Sequence, residues 1–337
     1  MLEPDHVTLE QARSIAEDLL GRRPERLEPY RPPAGGDDSY SFRLTAGGQR
    51  MLLKVKKRPG SPIGVYFHRR LKEAGLPVPE LLAFSGDADP GGRACAIWEW
   101  IDGQPAEWGP GEPCPYDEAE LGELLRRIHD LRFDGPFGLL GDDPASAVMA
   151  VQPDLGPRST SWPGFFHCDR AAQRYLDRGY LERAEADTLA SLPDRLDNAL
   201  GQAEPRLLHL GDIMSHGNLI VEPATGRILA IVDTVESMAG DPRWELAWFD
   251  YYFSVYPFGR PTFDMARFCA AYGTDHDPWD GRAGSTSWRS CYSRSCYSST
   301  RHHPGDDGRS RRLGVCWRAC RAEPRGPIIP NRHQAGL

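Results

Sequence analysis

No unbroken apolar run in the 337-residue chain approaches the roughly twenty residues that span a bilayer. The first residues, MLEPDHVTLE, have neither a basic start nor an apolar stretch, so a secretory signal is not expected. An excess of positive charge is missing too. Forty Lys and Arg stand against 48 Asp and Glu, −8 overall, which gives no global attraction to nucleic acid or to an anionic membrane. Zinc spacing is also lacking. Of eight cysteines, Cys95, Cys114, Cys168 and Cys269 are scattered, while Cys291, Cys296, Cys316 and Cys320 cluster late with His302 and His303 between them. Neither CYSRSC nor CWRAC has the two-residue gap of a zinc pair. A soluble, cytoplasmic protein is expected, with no nucleic-acid or membrane partner and length enough for one large domain or two lobes.

Lysine is absent altogether from residues 280–337. That segment holds 11 Arg, 8 Ser and only 5 Leu, Ile, Val, Met or Phe among its 58 residues. Eleven Arg against four acids give it +7, leaving −15 for the remainder of a chain whose total is −8. It shows no periodicity and cannot bury enough apolar surface to fold by itself. Arg, Ser, Cys, Gly and Trp together are what a GC-rich gene yields when read out of frame. The segment is therefore read as a frameshifted or otherwise unrelated tail. The alternative is a basic tail for an acidic partner or nucleic acid, but such tails normally use Lys as well.

The rest of the chain carries clear local signals. Residues 8–20, TLEQARSIAEDLL, begin with Thr8 and place Gln11 three positions on, a capping box, with Gly21 as a stop. SYSFRL and RMLLKVK predict two strands joined at Ala46-Gly47-Gly48. In the second strand Met51, Leu53 and Val55 point one way, and Leu52, Lys54 and Lys56 the other. VYFHRRLKEAG predicts a helix ending near Gly75, LPVPELLAF runs extended, and ACAIWEWIDG (94–103) is a buried strand entering a turn. From Tyr116 the period becomes helical: Asp117 caps, and Leu121, Leu124, Leu125, Ile128 and Leu131 form one stripe. Helices are expected at 165–178 and 181–202. Two short strands, NLIVE and RILAIVD, follow around the turn Pro223-Ala224-Thr225-Gly226, and RWELAWFDYYF is an aromatic-rich, buried helix. Strands dominate the first hundred residues and helices the rest. The expected fold is α+β: a small antiparallel sheet lobe (1–100), a larger, mostly helical lobe (101–279), and the irregular tail (280–337).

HLGDIMSHGNLI (209–220) sets a lone acid, Asp212, and an amide, Asn218, just ahead of a strand. A second acid, Asp233, closes the apolar strand ILAIVD, and Gly-Asp-Pro follows at 240–242. A loop acid is ordinarily a cap or a solvated turn, whereas an acid closing an apolar strand is an odd choice. Together HLGDIMSHGNLIV and AIVDTVESMAGDPRWELA resemble the aminoglycoside phosphotransferases, small-molecule kinases with a two-lobed, protein-kinase-like fold. The resemblance covers roughly residues 30–273, and GLPVPELLAF and the LLRRIHDL helix fit it. It implies ATP and Mg2+ as cofactors and a hydroxyl of a small molecule, such as an aminoglycoside-like antibiotic, as acceptor.

Phosphoryl transfer needs metal to neutralise the phosphates, a cation to hold them and an acid to orient the attacking hydroxyl. By the resemblance, Asp212 is the catalytic acid that accepts or orients the hydroxyl proton. Asn218 and Asp233 are the magnesium ligands, oxygen donors suited to a hard cation whose shell the phosphates complete. Lys54 holds the α- and β-phosphates, although Lys56 and Lys57 lie near and any of the three could be a solvated edge lysine. The turn from Gly35 to Ser41, with Gly36 and Ser39, covers the phosphates. The strand into Trp98, Glu99 and Trp100 is the hinge whose backbone binds adenine. Asp241 of Gly-Asp-Pro is read as structural, bonding the backbone of the catalytic loop. Asp250 and Asp264 lie where substrate pockets of the family gather acids, the plainer reading being solvated surface acids.

Four features depart from the family pattern. Two residues rather than one separate His209 from Asp212, and five rather than four separate Asp212 from Asn218. Either the loop bulges to absorb the extra residue or another residue, with His216 a poor candidate, binds the metal. The helix after Lys54 carries no acid in its first two turns, and Glu73 comes late. Either Lys54 lacks the usual helix partner or its acid comes from another element. Thr234 and Val235 stand where Trp and Glu are usual, with Glu236 one place later. Finally, residues from 280 replace the amphipathic helices that should wall the substrate pocket. The expected activity is O-phosphotransfer to a small molecule; a choline- or homoserine-type metabolite kinase and an inactive nucleotide-binding pseudokinase are the alternatives. Oligomeric state is left open by the sequence.

Overall fold

The computed structural model describes residues 6–32, 38–87, 91–109, 111–143, 158–165, 168–191, 203–209, 212–214, 217–254 and 262–274. The tail from 280, with its cysteines and its proposed reading frame, lies outside the described residues, as do Gly35, Gly36 and His216.

The chain opens with α1 (Leu9–Leu20), closed by the expected reciprocal cap. The Thr8 N–H donates to Gln11 Oε1 at 2.8 Å and the Gln11 N–H to Thr8 Oγ1 at 3.2 Å. A five-stranded antiparallel sheet follows, built from β1 (Arg26–Pro29), β2 (Ser39–Ala46), β3 (Gln49–Lys56), β4 (Leu81–Ser85) and β5 (Cys95–Glu99) in the order β1-β2-β3-β5-β4. β2 and β3 turn at Gly47 and Gly48, whose φ values of 60° and 74° are those of a two-residue hairpin with the strand twist. The period of two in β3 is realised. Met51, Leu53 and Val55 are buried against Ala12, Ile15 and Ala16 of α1, which leaves Lys54 and Lys56 on the other face.

That other face is covered by α2 (Val65–Glu73) and by the second half of the chain. The entry to α2 is held from a distance. Asp142 accepts from the N–H groups of Ile63, Gly64 and Val65 at 2.7–3.0 Å, placing a carboxylate at the positive end of the helix. Gly64 has φ 88°, and a Cβ there would lie 2.3 Å from the Thr234 carbonyl oxygen, so this position accepts only glycine. Thr234 Oγ1 in turn donates to the Gly64 carbonyl at 3.3 Å.

The second half packs α3 (Glu118–His129), α6 (Pro242–Ser254) and α7 (Met265–Tyr272) around Leu121, Leu125, Ile128, Phe249, Phe253 and Phe268, with α4 (Cys168–Asp177) and α5 (Arg183–Ala190) forming a smaller cluster. Asp117 caps α3 as expected. Two small sheets complete this half: β10 (Ile228–Ile231), β9 (Leu219–Val221) and β6 (Gln104–Pro105), and β7 (Gly138–Leu139), β11 (Met238–Gly240) and β8 (Arg206–Leu208). The architecture is the expected α+β one, with a sheet-rich first part and a mainly helical second. Strands of two or three residues, like β6, β7, β8 and β11, have no period to read, and the sequence signals miss them. The helix expected at 165–178 begins at Cys168, behind a 3-10 turn at Pro163–Phe165. The one expected at 181–202 is described to Ala190, and residues 192–202 lie outside the described set.

Candidate active site

Asp212 opens a 3-10 turn, Asp212–Met214, whose Ile213 and Met214 are buried in the large core. Its N–H donates to the His209 carbonyl at 3.0 Å. Asn218 stands at the entry to β9. Its Nδ2 donates to Asp212 Oδ2 at 2.7 Å and to the Asp212 carbonyl at 2.9 Å. The five intervening residues therefore do not separate the acid from the amide. With Nδ2 committed to Asp212, the Asn218 Oδ1 is the atom left to face a cation.

Asp233 follows β10 with φ 60°, and among the described residues it is the one non-glycine in the left-handed region. Asp tolerates that conformation better than most residues, and backbone strain of this kind gathers where a side chain must be aimed. The Asp233 carboxylate lies 3.4 Å from Lys54 Nζ. The acid that pairs Lys54 thus comes from another element and not from α2. Glu73, the late acid of that helix, contacts Arg70 at 3.8 Å instead.

One cleft runs between β3, the segment after β5 and the β9–β10 pair. Lys54, Lys56, Asp38, Ser39 and Ser41 line one part of it, Leu52, Trp98, Glu99 and Trp100 another, and Asn218, Ile220, Val232 and Asp233 the floor. A hydrogen bond from Asn218 joins the partly exposed Asp212 to the floor. The sequence-predicted residues that are described therefore meet around one space: Lys54, Ser39, Ser41, Trp98, Glu99, Trp100, Asn218 and Asp233 line it, and Asp212 is bonded to Asn218. Among the described residues no three or more His, Cys, Asp or Glu are grouped as a metal site. Two protein oxygens, from Asp233 and Asn218, are what Mg2+ uses when phosphates complete its shell, so the donor set fits that ion.

Three cleft or anchor residues were not picked out from sequence. The first is Lys56, whose side chain is 3% exposed and is ion-paired with Asp38. Its signal was present, since it shares a strand face with Lys54. Burial by itself would raise the Asp38 carboxyl. The Lys56 ammonium, through charge and hydrogen bond, then Ser39 Oγ and Lys54, outweigh it and hold the group below the ordinary carboxylate range. The second is His68, in the first turn of α2, buried against the Trp98 ring at a centroid distance of 4.4 Å. Burial pushes its pKa down to about 4, although a hydrogen bond to the Pro79 carbonyl works the other way.

The third is Glu245 of α6, fully buried, which accepts from the His209 N–H at 3.1 Å and meets His129 Nε2 at 2.9 Å. The backbone at the start of the Asp212 loop is thus tied to Glu245. Asp241, which the sequence placed in that role, binds Arg243 among the described residues, through its N–H at 2.9 Å and its guanidinium at 2.6–3.0 Å, while 210, 211, 215 and 216 of the loop lie outside the described set. A carboxylate next to the first turn of a helix bonds the nearest N–H groups, and α6 begins at Pro242. Asp264, one of two candidate substrate acids, caps α7 by accepting from the Arg267 N–H at 3.0 Å. The side chain of the other, Asp250, lies outside the described set.

His68 makes a pH prediction. A histidine with a folded pKa near 4 and an ordinary unfolded value near 6.5 keeps its full contribution above the unfolded value. As pH falls from about 6.5 to 4 the unfolded state takes up the proton first, and stability is lost by up to about 3 kcal/mol. His68→Phe should flatten that part of a stability-against-pH curve measured by urea unfolding. An unchanged acid slope would show that His68 is not its source.

A model of the phosphotransferase enzyme family matches residues 29–283. Among solved structures, an assigned aminoglycoside phosphotransferase from Ralstonia eutropha JMP134 superposes with a TM-score of 0.58 at 17% identity, over 94% of this chain and 96% of that one. An assigned fructosamine-3-kinase from Haemophilus somnus 129PT gives 0.57 at 13% identity, over 93% and 96%. Spectinomycin phosphotransferase in complex with ADP and spectinomycin gives 0.50 at 15% identity, over 94% and 95%. At these identities the likeness is one of fold, and the fold is that of the small-molecule kinases.

Proposed function

The chain belongs to the phosphotransferase enzyme family, and from that premise we propose that it is an ATP- and Mg2+-dependent enzyme that phosphorylates a hydroxyl group of a small molecule. The observation that carries this reading is the convergence, on one cleft, of Lys54 paired with Asp233 and Asn218 bonded to Asp212. The base would lie in the apolar part of the cleft, between Leu52 and the Ile220–Val232 floor, with backbone of the 99–101 segment as its hydrogen-bonding edge. Lys54 would hold phosphate oxygens as a point charge. Asp233 and Asn218 would hold Mg2+, which when bound supplies charge neutralisation to the transferred group. Asp212, bonded to Asn218, would orient the acceptor hydroxyl and take its proton as the oxygen attacks phosphorus and the bond to the ADP leaving group breaks.

Thermal stabilisation by ATP with and without Mg2+ tests the cofactors, and a phosphotransfer screen tests the acceptor. The screen should include cationic aminoglycosides, spectinomycin, a fructosamine, choline and homoserine. Stabilisation by ATP that grows with Mg2+, together with transfer to one acceptor class, is the expected result. Nucleotide binding without transfer to any hydroxyl would replace this reading with the pseudokinase one.

A further inference from the structure

Only four of the chain's forty basic residues are lysines: Lys54, Lys56, Lys57 and Lys72. Two of the four lie on the same face of β3 and line the same cleft. Lys54 is the one expected from sequence. Lys56, two residues further along the strand, is the more deeply buried, 3% exposed against 21%. Burying an ammonium is costly unless an anion sits against it. Here that anion is Asp38, which immediately precedes β2.

Asp38 is placed unusually for a mere partner. Its carboxylate is bonded to Lys56 and feels the charge of Lys54 as well, so it lies where the fields of both ammonium groups converge. Ser39 Oγ donates to it at 2.9 Å. A lysine nitrogen and a hydroxyl bonded to one carboxylate, with a second ammonium acting through its charge, are the kind of surroundings that a phosphate group receives in a nucleotide site. The Asp38 side chain is 56% exposed. It can turn away by rotation about its own bonds while its carbonyl keeps the 2.8 Å hydrogen bond from the Lys57 N–H.

We infer that Lys56 is a second phosphate-binding lysine and that the Asp38 carboxylate is a built-in anion, which a phosphate oxygen of the incoming nucleotide displaces. The assignment rests on the nucleotide reading of the cleft given above and extends it to the polyphosphate. Along a strand, two lysines at i and i+2 stand roughly 6–7 Å apart, a span that linked phosphates bridge and a single phosphate does not. Lys54, with Asp233 as counter-ion, and Lys56, with Asp38, would then exchange a carboxylate for a phosphate at two neighbouring points. While Asp38 remains in place it repels a polyanion, so the inference makes an unusual demand: removing this acid from the site must strengthen binding.

Isothermal titration of the full chain at fixed ionic strength tests it, with ATP, adenosine and inorganic tripolyphosphate as separate ligands. Asp38→Asn should tighten ATP and tripolyphosphate by about threefold or more and leave adenosine unchanged. Lys56→Gln should weaken both phosphate ligands about tenfold or more, again sparing adenosine. ATP and tripolyphosphate binding by Lys56→Gln equal to wild type would overturn the assignment. So would an Asp38→Asn chain that melts lower and binds them no more tightly, which is the signature of a purely structural ion pair. Should Lys56→Gln fail to fold, the Asp38→Asn result decides by itself. Lys56-dependent binding of tripolyphosphate by a chain that ignores adenosine would support the phosphate assignment while removing the base from the proposed function.

Discussion

Asp212→Asn is expected to lower kcat for phosphoryl transfer by about 10²- to 10⁴-fold, the usual contribution of a positioned general base. The substitution is nearly isosteric. It keeps a side-chain oxygen to accept from Asn218 Nδ2, now 2.7 Å from Asp212 Oδ2, and leaves the bond to the Asp212 carbonyl untouched. What it removes is the basicity that takes the hydroxyl proton. Because the lining of the nucleotide cleft and both bonds from Asn218 are kept, nucleotide affinity and melting temperature should be close to wild type. The loss should therefore fall on kcat, with ATP binding preserved, as measured by steady-state transfer beside calorimetric titration. Full activity in the variant would remove Asp212 from the chemistry. A loss of ATP affinity as large as the loss of rate would mean that the residue acts by shaping the cleft.

The second large effect concerns stability. Glu245→Ala should destabilise the fold by about 3–5 kcal/mol, the range for breaking one side of a buried charged network. The Glu245 side chain is 0% exposed, and the groups that depend on it include the His129 ring at 2.9 Å and the His209 N–H at 3.1 Å. His129 Nδ1 in turn meets Tyr272 Oη at 2.8 Å. Burial, and next the Glu245 carboxylate, push the Tyr272 hydroxyl well above its ordinary pKa, so it stays a neutral donor or acceptor. The chain of contacts joins α3, α6 and α7 to the residue that begins the Asp212 loop. Alanine leaves a buried N–H and a buried imidazole without their acceptor. Glu245→Gln keeps an acceptor and should lose less. Urea unfolding gives the stabilities, and kcat should drop in parallel because the Asp212 turn hangs from His209. A Glu245→Ala protein as stable as wild type would show that the network carries no weight.

The parts of this molecule that sequence disclosed are those with local causes. Thr8 and Gln11 cap α1 from three residues apart, Gly47 and Gly48 turn a hairpin, and alternation in β3 sorts Met51, Leu53 and Val55 from Lys54 and Lys56. The motif residues Asp212, Asn218 and Asp233 were visible because they lie in or beside short strands with a recognisable order. That order also leads to the family, whose model matches residues 29–283. The extra residue in the loop looked like a threat to the metal site. In the folded chain the Asn218 amide donates to Asp212 across the intervening residues at 2.7 Å.

Tertiary structure decided the partners. Nothing near Lys54 in the chain offered it an acid, and folding supplied Asp233. The acid at the N-terminus of α2 comes from Asp142, 77–79 residues away, and the Thr234 hydroxyl reaches Gly64 across 170 residues. Glu245, which no local pattern marks, holds the His209 N–H at the start of the loop, and it does so beside a histidine 116 residues earlier. Lys56 could be placed on the right face of its strand by period alone, but whether that face met water or a buried cleft depended on what packed over it. Caps, turns and strand faces follow from the dihedral preferences of neighbouring residues. Ion pairs and buried hydrogen bonds form between whichever groups the packed elements bring within about 3 Å, and that choice belongs to the whole fold.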